Sequence, residues 1–202
     1  MLTNHYWYIP EALTPQQCDG IQLLGASSQQ AEGFHFGDQV GHRDSQISWI
    51  YDEPTSDLIC AWMRQANTEA RWYFDLALPE AIQYTRYTTG GRYDWHIDGH
   101  SDGYAARRLV AEVAAPIPLN ITPFPQFQGT VRKLSATVNL SDPNDYEGGE
   151  LQIRCYDQMH IFNDAPRGSI IVFPSFMEHR VSPITSGERH SAVVWFNGVP
   201  FR

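Results

Sequence analysis

From Ile82 onward the chain is cut by Gly, Pro, Asn and Asp into short stretches rich in β-branched and aromatic residues. The stretches Ile82 to Tyr87, Tyr93 to Ile97, Lys133 to Leu140, Leu151 to Cys155, Ser169 to Phe173 and Ser191 to Phe196 have the length of strands. Short strands recurring with turn residues between them imply a sandwich or a barrel. Before Ile82 the texture is helical. Thr14-Pro15-Gln16-Gln17 carries a Thr cap, Pro at the first helical position and Gln at the capping-box position. Ile21 and Leu24 then face inward, and Gly25 is expected to end that helix. A second helix is expected from Ser56 to Tyr73, with Leu58, Ile59, Trp62, Met63 and Ala66 at helical spacing. Between the helices, Glu32 to Ser45 reads as a loop and Gln46 to Tyr51 as a short strand. Helices followed by many strands place the helices on one face of a sandwich. The expected fold is mainly β with N-terminal helices and a double-stranded β-helix (jelly-roll) core.

With 202 residues the chain suffices for one domain with a sizeable core. Residues 1–80 are read as helical N-terminal support and 81–202 as the jelly-roll core, with an insert at 99–130. The insert combines a short helical-looking piece, Tyr104 to Glu112, with the Pro-rich run PIPLNITPFPQ. Long irregular inserts in compact domains usually serve function, so it is read as a lid or substrate loop.

Charge and cysteine usage exclude several classes. A net charge of -9 argues against a nucleic-acid partner, which calls for a basic face. Cys18, Cys60 and Cys155 are far apart, form no CxxC pair, and read as reduced thiols. The N-terminal MLTNHYWYIP has neither a basic region nor a long apolar one, and no apolar run is long enough to cross a bilayer. The expectation is a soluble cytoplasmic protein with no membrane association; oligomeric state stays open.

Within Tyr93-Asp94-Trp95-His96-Ile97-Asp98, His96 and Asp98 stand two apart on an expected strand, where alternation sends both side chains to one face. By itself such a pair reads as readily as an ordinary hydrogen-bonded couple. A third ligand must come from a distant strand, and His179 in FPSFMEHRV is the best candidate. Two imidazoles and one carboxylate on one side of an ion leave three positions open, which suits Fe(II) binding a co-substrate and O₂. Ten residues beyond His179, Arg189 opens another strand and offers a planar fork for a carboxylate. A keto acid that chelates the iron and pairs its far carboxylate with Arg189 is what 2-oxoglutarate would be.

Five segments, in order, resemble the prolyl 4-hydroxylase-like branch of the 2-oxoglutarate and Fe(II)-dependent oxygenases. Tyr87 to Asp98 is similar to its Y-x-x-G-x-x-Y-x-x-H-x-D segment. Arg132 to Ser141 resembles its central strand, and Glu147-Gly148-Gly149-Glu150-Leu151 its E-G-G-E-L turn. Arg167-Gly168-Ser169 through Phe173-Pro174-Ser175 resembles K-G-x-x-x-x-F-P-S, and His179 through Arg189 resembles H-x-V-x-P-V-x-x-G-x-R. The resemblance runs from about Ile82 to Asn197. It implies His96, Asp98 and His179 as iron ligands and catalytic residues, with Arg189 as partner of the distal 2-oxoglutarate carboxylate. It places Tyr87 and Asn139 near the same co-substrate, and Trp195 near the pocket floor. Trp95, Tyr84, Tyr87 and Tyr93 are expected near the pocket, with strand alternation sending some of them to the opposite face. His100, past a turn at Gly99, is expected in a loop or just behind the ligands, and His190 facing away from Arg189. Collagen-type members carry Lys where Arg189 stands, so the resemblance points away from collagen-like substrates.

The implied enzyme is a dioxygenase that uses Fe(II), 2-oxoglutarate and O₂, with ascorbate as a reductant, to hydroxylate an unactivated C–H bond. Its implied partner is a prolyl residue in a peptide or protein. Hydroxylation of a free amino acid or other small molecule is the alternative within the class. A non-catalytic metal-binding jelly-roll module is the alternative outside it.

Overall fold

A computed structural model describes residues 2–33, 41–99, 127 and 130–201. Strand β1 (Trp7–Ile9) precedes helix α1 (Pro15–Ser27), followed by β2 (Ala31–Glu32), β3 (Arg43–Asp44) and β4 (Gln46–Ile50). Helix α2 (Glu53–Glu69) leads to β5 (Leu78–Pro79), β6 (Ile82–Tyr87) and β7 (Arg92–His96). Then come β8 (Val131–Asn139), β9 (Tyr146–Gly148), β10 (Leu151–Cys155), β11 (Gln158–Phe162) and β12 (Ile170–Pro174). The chain finishes with β13 (Glu178–Val181), β14 (Ile184–Gly187) and β15 (Arg189–Gly198).

All strand pairs are antiparallel. The larger sheet runs β1-β12-β8-β15-β6-β4-β2, with β5 joined to β15; the smaller runs β11-β10-β13-β7-β3. Ile171 and Phe173 of the larger sheet pack with Leu151, Ile153 and Cys155 of the smaller, so the two sheets face each other as a jelly roll. The helices cover the far side of the larger sheet. Ile59, Met63 and Ala66 form one buried stripe on α2, at i, i+4 and i+7. They join Ile21, Leu134, Ala136, Val138, Val194 and Phe196 in the main core.

Strand β8 therefore has two buried faces of different chemistry. Leu134, Ala136 and Val138 enter the helix-side core, while Ser135, Thr137 and Asn139 are buried on the other face, between the sheets. Period-two alternation gives Ser191 of β15 and Thr85 of β6 the same facing, because the register sets Ser191 opposite both Asn139 and Thr85. The interior between the sheets is thus apolar at one end and polar along this row.

Several sequence expectations shift. Thr14 caps α1 with both capping-box hydrogen bonds, as its spacing predicts. Gly25, however, lies inside α1, which runs on to Ser27. A Cβ there would sit 2.3 Å from Tyr84 Cγ, so Gly25 is where the helix presses on the sheet. Helix α2 starts earlier than expected because Asp52 caps it, accepting from Thr55 N at 3.0 Å. It also stops earlier, at Glu69, before Arg71 and Tyr73 adopt positive φ. The stretch read as a loop contributes the two-residue strands β2 and β3, and β1, β11, β13 and β14 are too short or too polar to show a period. The insert at 99–130 lies outside the described residues except Gly99, Phe127 and Thr130, and so do His100 and the piece from 104 to 112. Among the described residues no helix is long and apolar enough to cross a membrane.

Candidate metal and co-substrate site

The two candidate imidazoles come together through strand register. β7 and β13 are neighbours in the smaller sheet, and His96 stands directly opposite His179. Their ring centroids are 4.1 Å apart. Asp98 reaches the same place differently from the simple alternation argument. β7 ends at His96, and Asp98 lies in the bend beyond it. Its backbone is anchored there: Asp98 N and Gly99 N both donate to Ser175 O, at 3.0 and 2.9 Å.

The turn that ends β12 also orients His179, whose Nδ1 lies 3.0 Å from Met177 O. His96 Nδ1 lies 2.7 Å from Asp94 O. With each Nδ1–H given to a backbone carbonyl, each Nε2 lone pair turns toward Asp98. His96 Nε2 is 3.7 Å from Asp98 Oδ1, and His179 Nε2 is 3.4 Å from Oδ2. The ligand atoms of the three residues lie within 4.8 Å of one another. Tyr93 stacks on His96 at 3.5 Å, and Phe173 meets His179 edge-on at 4.6 Å. Burial opposes the charge on Asp98, but His179, His96 and Arg132 nearby, with the Ser135 hydroxyl, outweigh it and hold its carboxyl at about 2. The donor set is thus a permanently ionised carboxylate and two correctly oriented imidazoles, which fits a divalent iron.

Arg189 opens β15 opposite Tyr87, with its guanidinium carbon 5.8 Å from the Tyr87 ring centre. It is only 5% exposed, and its Nε and Nη1 have no hydrogen-bond partner among the described residues. The contrast with its neighbours is plain. Arg86 holds Glu188 through two nitrogens, and Arg132 holds Glu80 the same way. A buried guanidinium without an acid costs several kcal/mol in general, so the site is built for an anion from outside. Gly149 makes room for it: a Cβ there would lie 3.0 Å from Arg189 Cδ. Thr85 Oγ1, Asn139 Oδ1 and Trp195 Nε1 are also buried without partners among the described residues.

Other expected residues divide. Tyr87 is buried beside Arg189. Asn139 has given its amide nitrogen to Ser141 O at 3.0 Å and Ala165 O at 2.8 Å, leaving no donor for a carboxylate. His190 faces away from Arg189, as expected, and joins Tyr84 and Glu188 on the helix side. Tyr84 and Trp95 are the two aromatics that alternation sends away from the site: Tyr84 lies on the outer face, against α1, and Trp95 points out of the smaller sheet between Arg154 and Arg180. Alternation sends each to the side opposite its site-facing neighbours, Tyr87 and His96. Ser135, Ser175 and Arg132 were not singled out from the sequence as site residues. For Ser135 a signal was present, the polar alternation Lys133, Ser135, Thr137, Asn139 interleaved with Leu134, Ala136 and Val138; that alternation does not include Arg132 or Ser175.

The sequence profile of the 2OG-Fe(II) oxygenase superfamily matches residues 82–197. A PKHD-type hydroxylase of Xanthomonas campestris pv. campestris (strain B100) is 26% identical over 196 residues, covering 95% of this chain and 78% of that protein. The viral collagen prolyl hydroxylase of Paramecium Bursaria Chlorella virus-1, solved as its 2OG complex, superposes with TM-score 0.67 at 20% identity, covering 98% of each chain. A Pseudomonas putida prolyl-4-hydroxylase gives TM-score 0.63 at 20% identity, covering 96% of this chain and 92% of that one. These structures share the jelly-roll fold. With the profile spanning more than half of its length, including the His96, Asp98 and His179 cluster and Arg189, the chain belongs to the 2OG-Fe(II) oxygenase superfamily.

Proposed function

We propose that this protein hydroxylates a prolyl residue in a peptide or protein, using Fe(II) held by His96, Asp98 and His179. The observation that carries the reading is the buried guanidinium of Arg189, whose Nε and Nη1 have no hydrogen-bond partner among the described residues, on the sheet face that looks toward that triad. A dicarboxylate co-substrate meets both demands at once. Its keto acid end would chelate an iron held by the triad, and its distal carboxylate would pair with Arg189, beside Tyr87. Asn139 enters as a residue shaping the pocket wall, since its amide is already committed. The peptide assignment is supported by the names of the relatives, hydroxylases in sequence and prolyl hydroxylases in structure.

When bound, Fe(II) supplies the oxidation, in which 2-oxoglutarate and O₂ become succinate and CO₂ with one oxygen atom inserted into the substrate C–H bond. The chain's own residues prepare it. His96 and His179 are held in the metal-binding tautomer by Asp94 O and Met177 O. Phe173 and Tyr93 pack against their rings and keep water from the imidazoles. Arg189 fixes the direction of the co-substrate along the polar row of Thr85, Ser191 and Asn139.

The test incubates the protein with Fe(II), 2-oxoglutarate, O₂ and a set of proline-containing peptides, reading succinate and peptide mass. Succinate together with a peptide heavier by one oxygen atom is the expected result. Succinate with oxidation only of free amino acids would move the substrate to the small-molecule class. Iron binding with no succinate under any condition would leave a non-catalytic metal-binding module.

A further inference from the structure

Asp98 is the member of the triad that no strand carries, so something else must set its carboxylate. Oδ2 accepts a hydrogen bond from Ser135 Oγ at 2.7 Å, and Ser135 Oγ lies 2.9 Å from Ser175 Oγ. Both serines are completely buried. A hydroxyl has one proton to give, and an ionised carboxylate can only accept. The Ser135 proton therefore goes to Asp98, and the Ser175 proton turns back onto Ser135 Oγ. Each link polarises the next, which strengthens the charge-assisted bond at the end of the chain. Oδ1 is left facing His96 Nε2 and takes part in no hydrogen bond to a described residue.

We propose that the Ser175–Ser135 pair fixes the rotation of the Asp98 carboxylate, so that Oδ1 alone ligates the metal and one coordination position stays open for O₂. The inference rests on the iron and 2-oxoglutarate reading above. Its force comes from counting positions. Two imidazoles and one carboxylate oxygen would leave three positions of six, enough for the keto acid end of 2-oxoglutarate and O₂. A carboxylate free to rotate can bind through both oxygens and close the third. Ser135 is then a positioning residue, acting through Asp98.

The same anchor explains why the turn from Ser175 to Met177 matters as a unit. Ser175 O holds the Asp98 backbone, Ser175 Oγ feeds the Asp98 carboxylate through Ser135, and Met177 O orients His179. Ligands from two separate parts of the chain are thus referenced to one three-residue turn.

The experiment is an anaerobic titration with Fe(II) and 2-oxoglutarate, followed by rapid mixing with O₂, on wild type, Ser135→Ala, Ser135→Thr and Ser175→Ala. The readouts are the position of the visible charge-transfer band and its decay rate after mixing. Ser135→Ala is expected to bind both ligands, to shift the band, and to slow the decay on the order of tenfold to a hundredfold. Ser135→Thr, which keeps the hydroxyl, restores both. Ser175→Ala removes only the outer link and gives the same changes at smaller size, which covers the case in which Ser135→Ala does not fold. A Ser135→Ala protein with wild-type band and decay overturns the inference. So does equal loss in Ser135→Ala and Ser135→Thr, because volume and not the hydroxyl would then be responsible. A wild-type protein with no band at all sinks the iron and 2-oxoglutarate reading itself, which keeps the two failures distinct.

Discussion

Arg189 shows how a single residue can be costly to the fold and useful to the site. Its guanidinium is buried, two of its nitrogens lack partners among the described residues, and the nearby acid Glu188 is taken by Arg86. Replacing even a buried ion pair with apolar side chains of similar volume is often neutral or stabilises by about 1–4 kcal/mol, and a charge without an acid has less attraction to lose. Arg189→Met is therefore expected to melt higher than wild type without co-substrate. It should also need about tenfold to a hundredfold more 2-oxoglutarate to form the iron complex, since a charged hydrogen bond is worth about 1.5–3 kcal/mol. Parallel melting curves and titrations check both halves. On the opposite face, burial lowers the imidazolium of His190 below its usual range, although Glu188 pulls the other way. The folded chain then binds fewer protons there than the unfolded one. By linkage this contribution is present above about pH 6.5 and is lost as pH falls through the lower folded value. Melting temperature should drop between pH 7.5 and 5.5 more steeply in wild type than in His190→Gln; equal slopes would show that His190 carries no such linkage.

At the scale of elements, the larger sheet separates stability from chemistry. Its outer face packs on α1 and α2, and its inner face carries the polar row and Arg189. Gly25 marks the closest approach of α1 to that outer face. Gly25→Ala would drive a methyl into the Tyr84 ring, and Tyr84 is tied through its hydroxyl to His190. Overpacking of this kind costs about 1–3 kcal/mol. For a chain of this length that lowers the melting temperature by roughly 2–12 °C. The iron and 2-oxoglutarate titration should stay unchanged, because Tyr84 and Arg189 lie on opposite faces. A shifted titration would mean that the two faces are not independent.

For the whole molecule, the three hydrophobic clusters among the described residues are built from side chains alone, so the apo-protein is expected to fold. Ligands that bind only the folded state raise stability by about 2.7 kcal/mol at a hundred times their dissociation constant. Fe(II) with 2-oxoglutarate should thus raise the melting temperature together, and a chelator should return it to the apo value without unfolding the protein at 25 °C. Loss of cooperative unfolding on chelation would show that the metal is structural.

Much of the site was legible because local rules suffice for it. The spacing of His96 and Asp98, the position of His179, and Arg189 ten residues later are patterns in one dimension, and the strand texture after Ile82 announced a sandwich. The helix start at Thr14 followed from capping chemistry alone. What the tertiary structure decided was everything that depends on which strands become neighbours. Register set His96 opposite His179, and only folding brought Ser175 under Asp98. Gly25 looked like a terminator because nothing in its neighbours reveals that Tyr84, 59 residues away, will press against it. Alternation showed that some of Tyr84, Tyr87, Tyr93 and Trp95 must face away from the pocket, but only the folded sheets decided that these are Tyr84 and Trp95. Ser135 is the sharpest case. The polar alternation of β8 marks a face but names no partner, and Ser135 gains a role only where Asp98 and Ser175 converge on its hydroxyl. Periodicity and motif spacing are properties of a chain, whereas facing, register and convergence exist only once two sheets have closed on each other.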